Sequence, residues 1–324
     1  MRFGNIDLEC GIALAPMAGF SDYAMRRIAY EMGAEYSVTE MVSAKAVVYG
    51  DKKTKTLAHI TKYEAPTAIQ IFGSEPAIMA EAAGILSAFD GGGALPVAID
   101  INMGCPVHKI FSNGEGSALM KEPSKIYDIT RAVANATALP TTVKIRLGID
   151  EKSINAVECA RAIEEAGAAA ITVHGRTKAQ LYSGSADMEK VRDVKKSVQI
   201  PLFANGDIQS AEDAVRVLSI TEADGIMIGR GAVGNPFIFS EIKAALTKKE
   251  FVPPKVEEIT RAALTQLSYA IEDKGEFVAV REARGQLAKY FHSFRGSAEL
   301  RARINLANTR EDIETAIKTV FAEI

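Results

Sequence analysis

The 324-residue sequence has three cysteines, Cys10, Cys105 and Cys159. They are too few and too scattered for a disulfide framework or a zinc site, and no metal is expected. No apolar run approaches the roughly 18 residues needed to span a bilayer. The opening stretch MRFGNIDLECGIALAPMAG lacks a basic segment followed by an unbroken apolar core, so no signal peptide is expected. The chain also lacks a large excess of either charge. Its net charge of −3 advertises no nucleic-acid partner, although a local basic patch would suffice for one. These absences point to a reduced, cytoplasmic protein. Hydrophobic residues make up 48% of the chain and charged residues 24%, as in an ordinary globular protein. The length suits a large barrel with a small second domain.

From Gly11 to about Lys248 one pattern repeats. A short apolar, often β-branched run ends in a polar or glycine cluster, and a helix-like stretch follows. The runs are IALAPM, YSVTEM, TAIQIFG, VAIDINMG, TTVKIRLG, AAITVHG, IPLFANGD and DGIMIGRG. Between them, SEPAIMAEAAGILSAF offers Ser74 as a helix N-cap with Pro76 in the first turn, and SAEDAVRVLS opens on Ser210. Continuous apolar strands alternating with helices indicate a parallel sheet covered by helices. Eight such units in roughly 250 residues match a (β/α)8 TIM barrel. Asn102, Lys144, Arg146, His174, Asn205, Asp207 and Arg230 all fall at C-terminal strand ends, the rim that carries barrel active sites. After Pro253 and Pro254 only helical periodicity remains. The domains expected are therefore a catalytic barrel over 1–247 and a small C-terminal helical bundle over 255–324.

Gly229-x-Gly231-x-x-Gly234 has the spacing of a dinucleotide-binding loop. That fingerprint belongs in a first βα turn, with an acidic residue on a second strand about 20 residues later. Here it follows the last strand, and the chain beyond it is helical. In a barrel the loops after the seventh and eighth strands build a phosphate site, and ANGD (204–207) and IGRG (228–231) are those loops. A phosphorylated cofactor or substrate is implied, with Arg230 as a charged fork.

The motifs APMAG, DINMGCPVHKI, VKIRLG, ITVHGRT, ANGDI and IGRGAVGNP, in this order, resemble the tRNA-dihydrouridine synthases, most closely the bacterial B-type branch. The likeness covers the barrel and extends more loosely into the tail at REARGQLAKYF. It implies FMN as cofactor, NADPH (or NADH) as reductant, tRNA as partner, and reduction of the 5,6 double bond of particular uridines. Pro16, Met17 and Ala18 match a segment whose backbone lies against the flavin. Gln70 matches a residue on the ring's pyrimidine edge, and a buried amide in an apolar strand needs a polar partner in any case. Lys144 matches a residue beside the ring's electron-rich side, and His174 a flavin or uracil contact. Asn205, Gly206, Asp207, Gly229 and Arg230 match the phosphate loops. Cys105 matches the proton donor, a role that suits a thiol of ordinary pKa near 8.5 in a loop facing the site. Asn102 would hold the uracil edge. Lys109 keeps a basic family position while His108 replaces another basic residue, and Arg146 and Arg176 would bridge the rim to RNA. Residues 107–117 carry glycines and suit a mobile cover. The family also suggests a monomer.

Between Arg281 and Arg303 six basic and two acidic residues give a local net charge of +4, with Tyr290, Phe291 and Phe294 interleaved. Arginine among aromatics suits RNA, yet Phe291 and Phe294 read better as bundle core. Two other readings stand beside the resemblance. One is a flavin barrel acting on a free pyrimidine, like dihydroorotate dehydrogenases. The other is a tRNA-binding module without catalysis, against which the presence of Cys105, Lys144 and His174 argues.

Overall fold

The computed structural model describes residues 1–64 and 66–321. Eight parallel strands form the barrel: β1 (Ile12–Leu14), β2 (Tyr36–Val38), β3 (Thr67–Phe72), β4 (Ala98–Met103), β5 (Thr141–Arg146), β6 (Ala170–His174), β7 (Leu202–Asn205) and β8 (Gly225–Ile228). Each pairs with its sequence neighbour. The ring closes where β8 meets β1, with Ile226 opposite Ile12, and is continuous at the short β2–β3 pairing of Val38 with Ala68. All eight apolar runs of the sequence are therefore barrel strands.

The period-two alternation of a strand sorts the side chains into two sets. Ile69, Ile71, Ile99, Ile101, Val143, Ile145, Ile171 and Val173 face outward and are wholly buried under the helices. Each such side chain contributes about 1.5–3 kcal/mol by leaving water. The inward set changes character along the axis. At the N-terminal end Ala13, Ala68, Ala98 and Ala170 leave room for Tyr36 and Phe203, whose rings stack 6.0 Å apart. An antiparallel hairpin, Arg2–Phe3 with Ile6–Asp7, packs Phe3 edge-on against both rings, at 5.4 Å from Tyr36 and 5.9 Å from Phe203. This aromatic plug seals the floor. Above it the inward positions turn polar, in the order Asp100 and Thr142, then Gln70, Asn102, Lys144, His174 and Asn205.

Local signals explain most helix starts. Asp22 caps Tyr23–Glu31 through Met25 N at 3.0 Å, and Ser210 caps Ala211–Thr221 through Asp213 N at 3.2 Å. The helix Pro76–Ser87 begins one residue later than expected: Glu75, not Ser74, occupies the cap, because Pro76 at the first helical position needs no N–H partner. Residues 107–117 are not an open loop. They contain the helix His108–Ser112 and the start of a 3-10 turn, Gly116–Lys121.

The last barrel helix ends at Leu246 and helical structure resumes at Val256. The tail helices are Val256–Lys274, Glu276–Tyr290, Ser297–Leu306 and Arg310–Phe321; residues 322–324 of the expected last helix lie outside those described. Their own core contains Leu267, Val280, Leu287, Phe291, Leu300, Ile304, Ile313 and Ile317. Phe291 is fully buried, and Phe294 is partly buried against this core, so both serve the bundle's packing. The tail docks on Tyr23–Glu31. Arg27 lies 3.7 Å over the Tyr269 ring, and Lys274 bonds Asp22 at 2.6 Å. Gly234, at φ +75°, sets the other contact: a β-carbon there would come within 2.5 Å of Lys289 Cβ and 2.7 Å of Tyr290 N.

The third glycine of the G-x-G-x-x-G run thus serves tail docking. Gly234→Ala is expected to lower stability in urea unfolding by roughly 1–3 kcal/mol, through its left-handed backbone and the lost close approach. A change below about 0.5 kcal/mol would show that the contact relaxes freely.

Candidate active site

A cavity of about 510 Å³ opens at the C-terminal ends of the strands, a volume typical of ligand pockets. Pro16, Met17, Ala18, Gln70, Asn102, Cys105, Lys144, Arg146, His174, Asn205, Gly206, Asp207, Gly229 and Arg230 all line it. Lys109 does not; it is exposed on the short helix beside the mouth. Arg176 does not either. Expected at an RNA-facing rim, it is 2% exposed, makes a two-pronged pair with Asp207 (2.8 Å each), and gives its remaining hydrogen bonds to the carbonyls of Ser183 and Gly184. Four of its five N–H donors are spent inside the protein, so it fixes the β6 and β7 loops and has at most one left for phosphate.

Cys105 follows the tip of β4. Its N–H donates to Asn102 Oδ1 at 2.9 Å, and its carbonyl accepts from Ser117 N (3.1 Å) and Ser117 Oγ (2.8 Å). Gly116, at φ +59°, lets the 3-10 turn close on it; a β-carbon there would lie 3.0 Å from Cys105 Cβ. Burial pushes the thiol pKa up, outweighing a backbone hydrogen bond from Val107 and the charge of Arg146. The side chain is a neutral S–H at neutral pH. Asn102 braces this turn rather than standing free: Oδ1 also accepts from Gly104 N at 3.2 Å, and Nδ2 donates to Gln70 Oε1 at 2.9 Å. The Gln70 amide likewise has protein partners, with Nε2 donating to Asp100 Oδ2 at 2.7 Å.

Cations crowd the opposite wall. Lys144 Nζ donates to Asn205 Oδ1 at 2.9 Å, and Asn205 Nδ2 donates to the Met227 carbonyl at 2.7 Å. Burial, then the neighbouring Arg146, push the Lys144 pKa down to about 7. Arg146 is lowered to about 10, again mainly by burial; its Nε and Nη1 donate to the carbonyls of Gly104, Thr177 and Leu181. His174 is held well below its ordinary pKa by burial and then by Lys144, Arg146, Arg176 and Arg230. Among the described residues its imidazole has no hydrogen-bond partner. Burial raises the Asp207 pKa, but the bonds from Arg176 and Ala186 N outweigh it and hold the group anionic. Arg230 is half exposed, 3.5 Å from Asp207. Beside it, the backbone N–H groups of Gly206, Gly229 and Arg230 have no acceptor among the described residues.

The structure adds residues that the sequence reading missed. Tyr182 stands at the mouth, 4.6 Å under Arg230 and 5.8 Å from Arg146, with Leu181 beside it. Lys289 reaches the cavity from the tail, its Nζ 5.5 Å from the Phe20 ring. The basic run of the tail was the signal for Lys289; Tyr182 had none.

A (β/α)8 barrel whose mouth gathers a neutral thiol, a buried lysine and backbone N–H groups without a protein acceptor belongs to the barrel enzymes. The fold resembles the old yellow enzyme homologue from Zymomonas mobilis, with a TM-score of 0.51 at 14% identity, covering 80% of this chain and 94% of that one. The family model "Dihydrouridine synthase (Dus)" matches residues 13–324, and the chain belongs to that family. It is 39% identical to a probable tRNA-dihydrouridine synthase of Treponema pallidum, over 98% of this chain and 95% of that one. It is 36% identical to tRNA-dihydrouridine synthase B of Pseudomonas putida, over 100% of this chain and 95% of that one.

A lysine whose folded pKa is depressed binds fewer protons than the unfolded chain between about pH 7 and its unfolded value. Its contribution to stability therefore rises with pH across that window. Lys144→Met is expected to remove this slope and to stabilise the protein at pH 7 by roughly 1–3 kcal/mol. Denaturant unfolding at several pH values checks both; equal slopes in the two proteins would show that Lys144 keeps an ordinary pKa.

Proposed function

We propose that the chain reduces the 5,6 double bond of a uridine in tRNA, with FMN as resident cofactor and NADPH (or NADH) as reductant. Family membership makes it a flavin enzyme with a tRNA uridine as substrate. The observation that carries the finer reading is the meeting of a protonated thiol, an easily charged lysine and an unpartnered imidazole in one cavity. The fit to a phosphorylated flavin rests on the unpaired N–H groups of Gly206, Gly229 and Arg230 and on the His174 ring, which lines the cavity without a protein partner among the described residues. Those N–H groups, with Asn205, Asp207 and the Arg230 guanidinium, would hold the phosphate. Pro16, Met17 and Ala18 would support the ring system through their backbone, and Gln70 and His174 would meet its polar edges. When bound, the flavin supplies a hydride for carbon 6 of uracil and is recharged by NADPH.

The chain's own residues do the remaining work. Cys105 holds at Sγ the proton that carbon 5 requires, and burial keeps it there. Lys144, poised near neutrality, takes up a proton when negative charge accumulates beside it. Asn102 retains one Nδ2 hydrogen, and Arg146 retains Nη2, for the base and its neighbours. The cavity depth requires the uridine to leave its stack, which costs least in an already distorted loop.

Residues 1–247 read as the catalytic part and 255–324 as the part that grips tRNA, with Lys289 and Lys109 as contacts near the mouth. A monomer is the oligomeric state that the family resemblance suggests. No described helix is long and apolar enough to cross a membrane, and a cytoplasmic location accords with a tRNA substrate.

Purified protein should be yellow. Cys105→Ala is expected to keep the flavin absorbance while dihydrouridine formation falls at least ~100-fold. Full activity in that variant, or turnover of free uracil or orotate without tRNA, would overturn the reading. Mapping dihydrouridine in tRNA from cells lacking the gene identifies the position reduced.

A further inference from the structure

We infer that Asp100 is a positioning residue: it fixes the direction of a hydrogen-bond chain that rises through the barrel interior and ends on the backbone of Cys105. Asp100 lies on β4, 2% exposed, one inward layer below Asn102, and it does not line the cavity. Its Oδ1 accepts from Thr142 Oγ1 at 2.5 Å and its Oδ2 from Gln70 Nε2 at 2.7 Å.

A carboxylate only accepts. Gln70 must therefore turn its NH2 group down toward Asp100, which leaves Oε1 facing up. An upward acceptor obliges Asn102 to donate Nδ2, at 2.9 Å. Only then is Asn102 Oδ1 left to receive the N–H groups of Gly104 and Cys105, at 3.2 and 2.9 Å. The two amides have nearly the same shape when flipped, so packing alone cannot select their orientation. Reversed, they would aim an NH2 group at the Cys105 N–H, and the turn holding the thiol would lose its anchor. Burial raises the Asp100 pKa to about 6, against the pull of Thr142 and Gln70, so the group is an anion at neutral pH. This role rests on the reading of Cys105 as the proton donor.

Two variants at one position separate direction from mere packing. In Asp100→Asn the side-chain oxygen can accept from Gln70 while the new NH2 donates to Thr142 Oγ1, so the lower end stays paired in the direction that the Gly104 and Cys105 N–H groups require. In Asp100→Leu the lower anchor is gone, and only the Gly104 and Cys105 N–H groups at the upper end oppose reversal. The measurements are the rate of Cys105 alkylation by iodoacetamide in flavin-loaded protein, followed by peptide mass spectrometry, and dihydrouridine formation. Asp100→Leu is expected to raise alkylation about fivefold or more and to cut dihydrouridine formation about tenfold, with Asp100→Asn within about threefold of wild type on both. Equal behaviour of the two variants, whether both impaired or both normal, would overturn the inference. If Asp100→Leu fails to fold, Gln70→Met cuts the chain one link higher, and an unchanged alkylation rate per flavin-bound molecule would overturn it too. Absence of any dihydrouridine formation by the wild type would instead count against the proposed reaction, while the alkylation contrast still judges Asp100.

Discussion

Excess positive charge organises this site. Lys144, Arg146, Arg176 and Arg230 all bear on His174, while the carboxylate at that rim, Asp207, is taken by Arg176. Burying cations without counter-charges is costly, and the lowered pKa values of Lys144 and Arg146 express that cost. A fold keeps such an arrangement when something negative completes it. The unpaired N–H groups on the β7 and β8 loops lie in the same region, so electrostatics and hydrogen bonding ask for the same kind of ligand.

The rest of the barrel makes that arrangement affordable. The Phe3, Tyr36 and Phe203 plug and the outward Ile and Val layer supply the burial that holds the strands in register. With register fixed, the inward positions of β3 to β7 bring Gln70, Asn102, Lys144, His174 and Asn205 to similar heights. Cys105 occupies a different kind of position. It sits just beyond a strand, held by its Asn102 and Ser117 backbone bonds, and so depends on hydrogen-bond geometry where the opposite wall depends on sheet register.

Much of this was legible in the sequence because strands and helices announce themselves through local periodicity. The eight runs, the polar rim and the helical tail needed no distant information. What could not be read were pairings between residues far apart in the chain. Arg176 follows His174 and looks like a rim cation; its burial becomes visible only when the β7 loop delivers Asp207. Lys289 sits in a tail helix, and nothing local says that it reaches the barrel mouth. Gln70 needed a polar partner, as its apolar strand implied, but Asp100 and Asn102 provide it within the barrel. The segment after Cys105 looked loose because of its glycines, yet Gly116 is there to permit a tight fit.

The contact of Gly234 with the backbone of Lys289 and Tyr290 has a consequence for how the two ends of the molecule are tethered. Together with Arg27 on Tyr269 and Lys274 on Asp22, it clamps the helical arm at separate points on the barrel. The covalent bridge around residues 250–254 then does not have to set the alignment by itself. It acts as slack rope beside a bolted joint, and its length can drift at little energetic cost while the arm stays aimed.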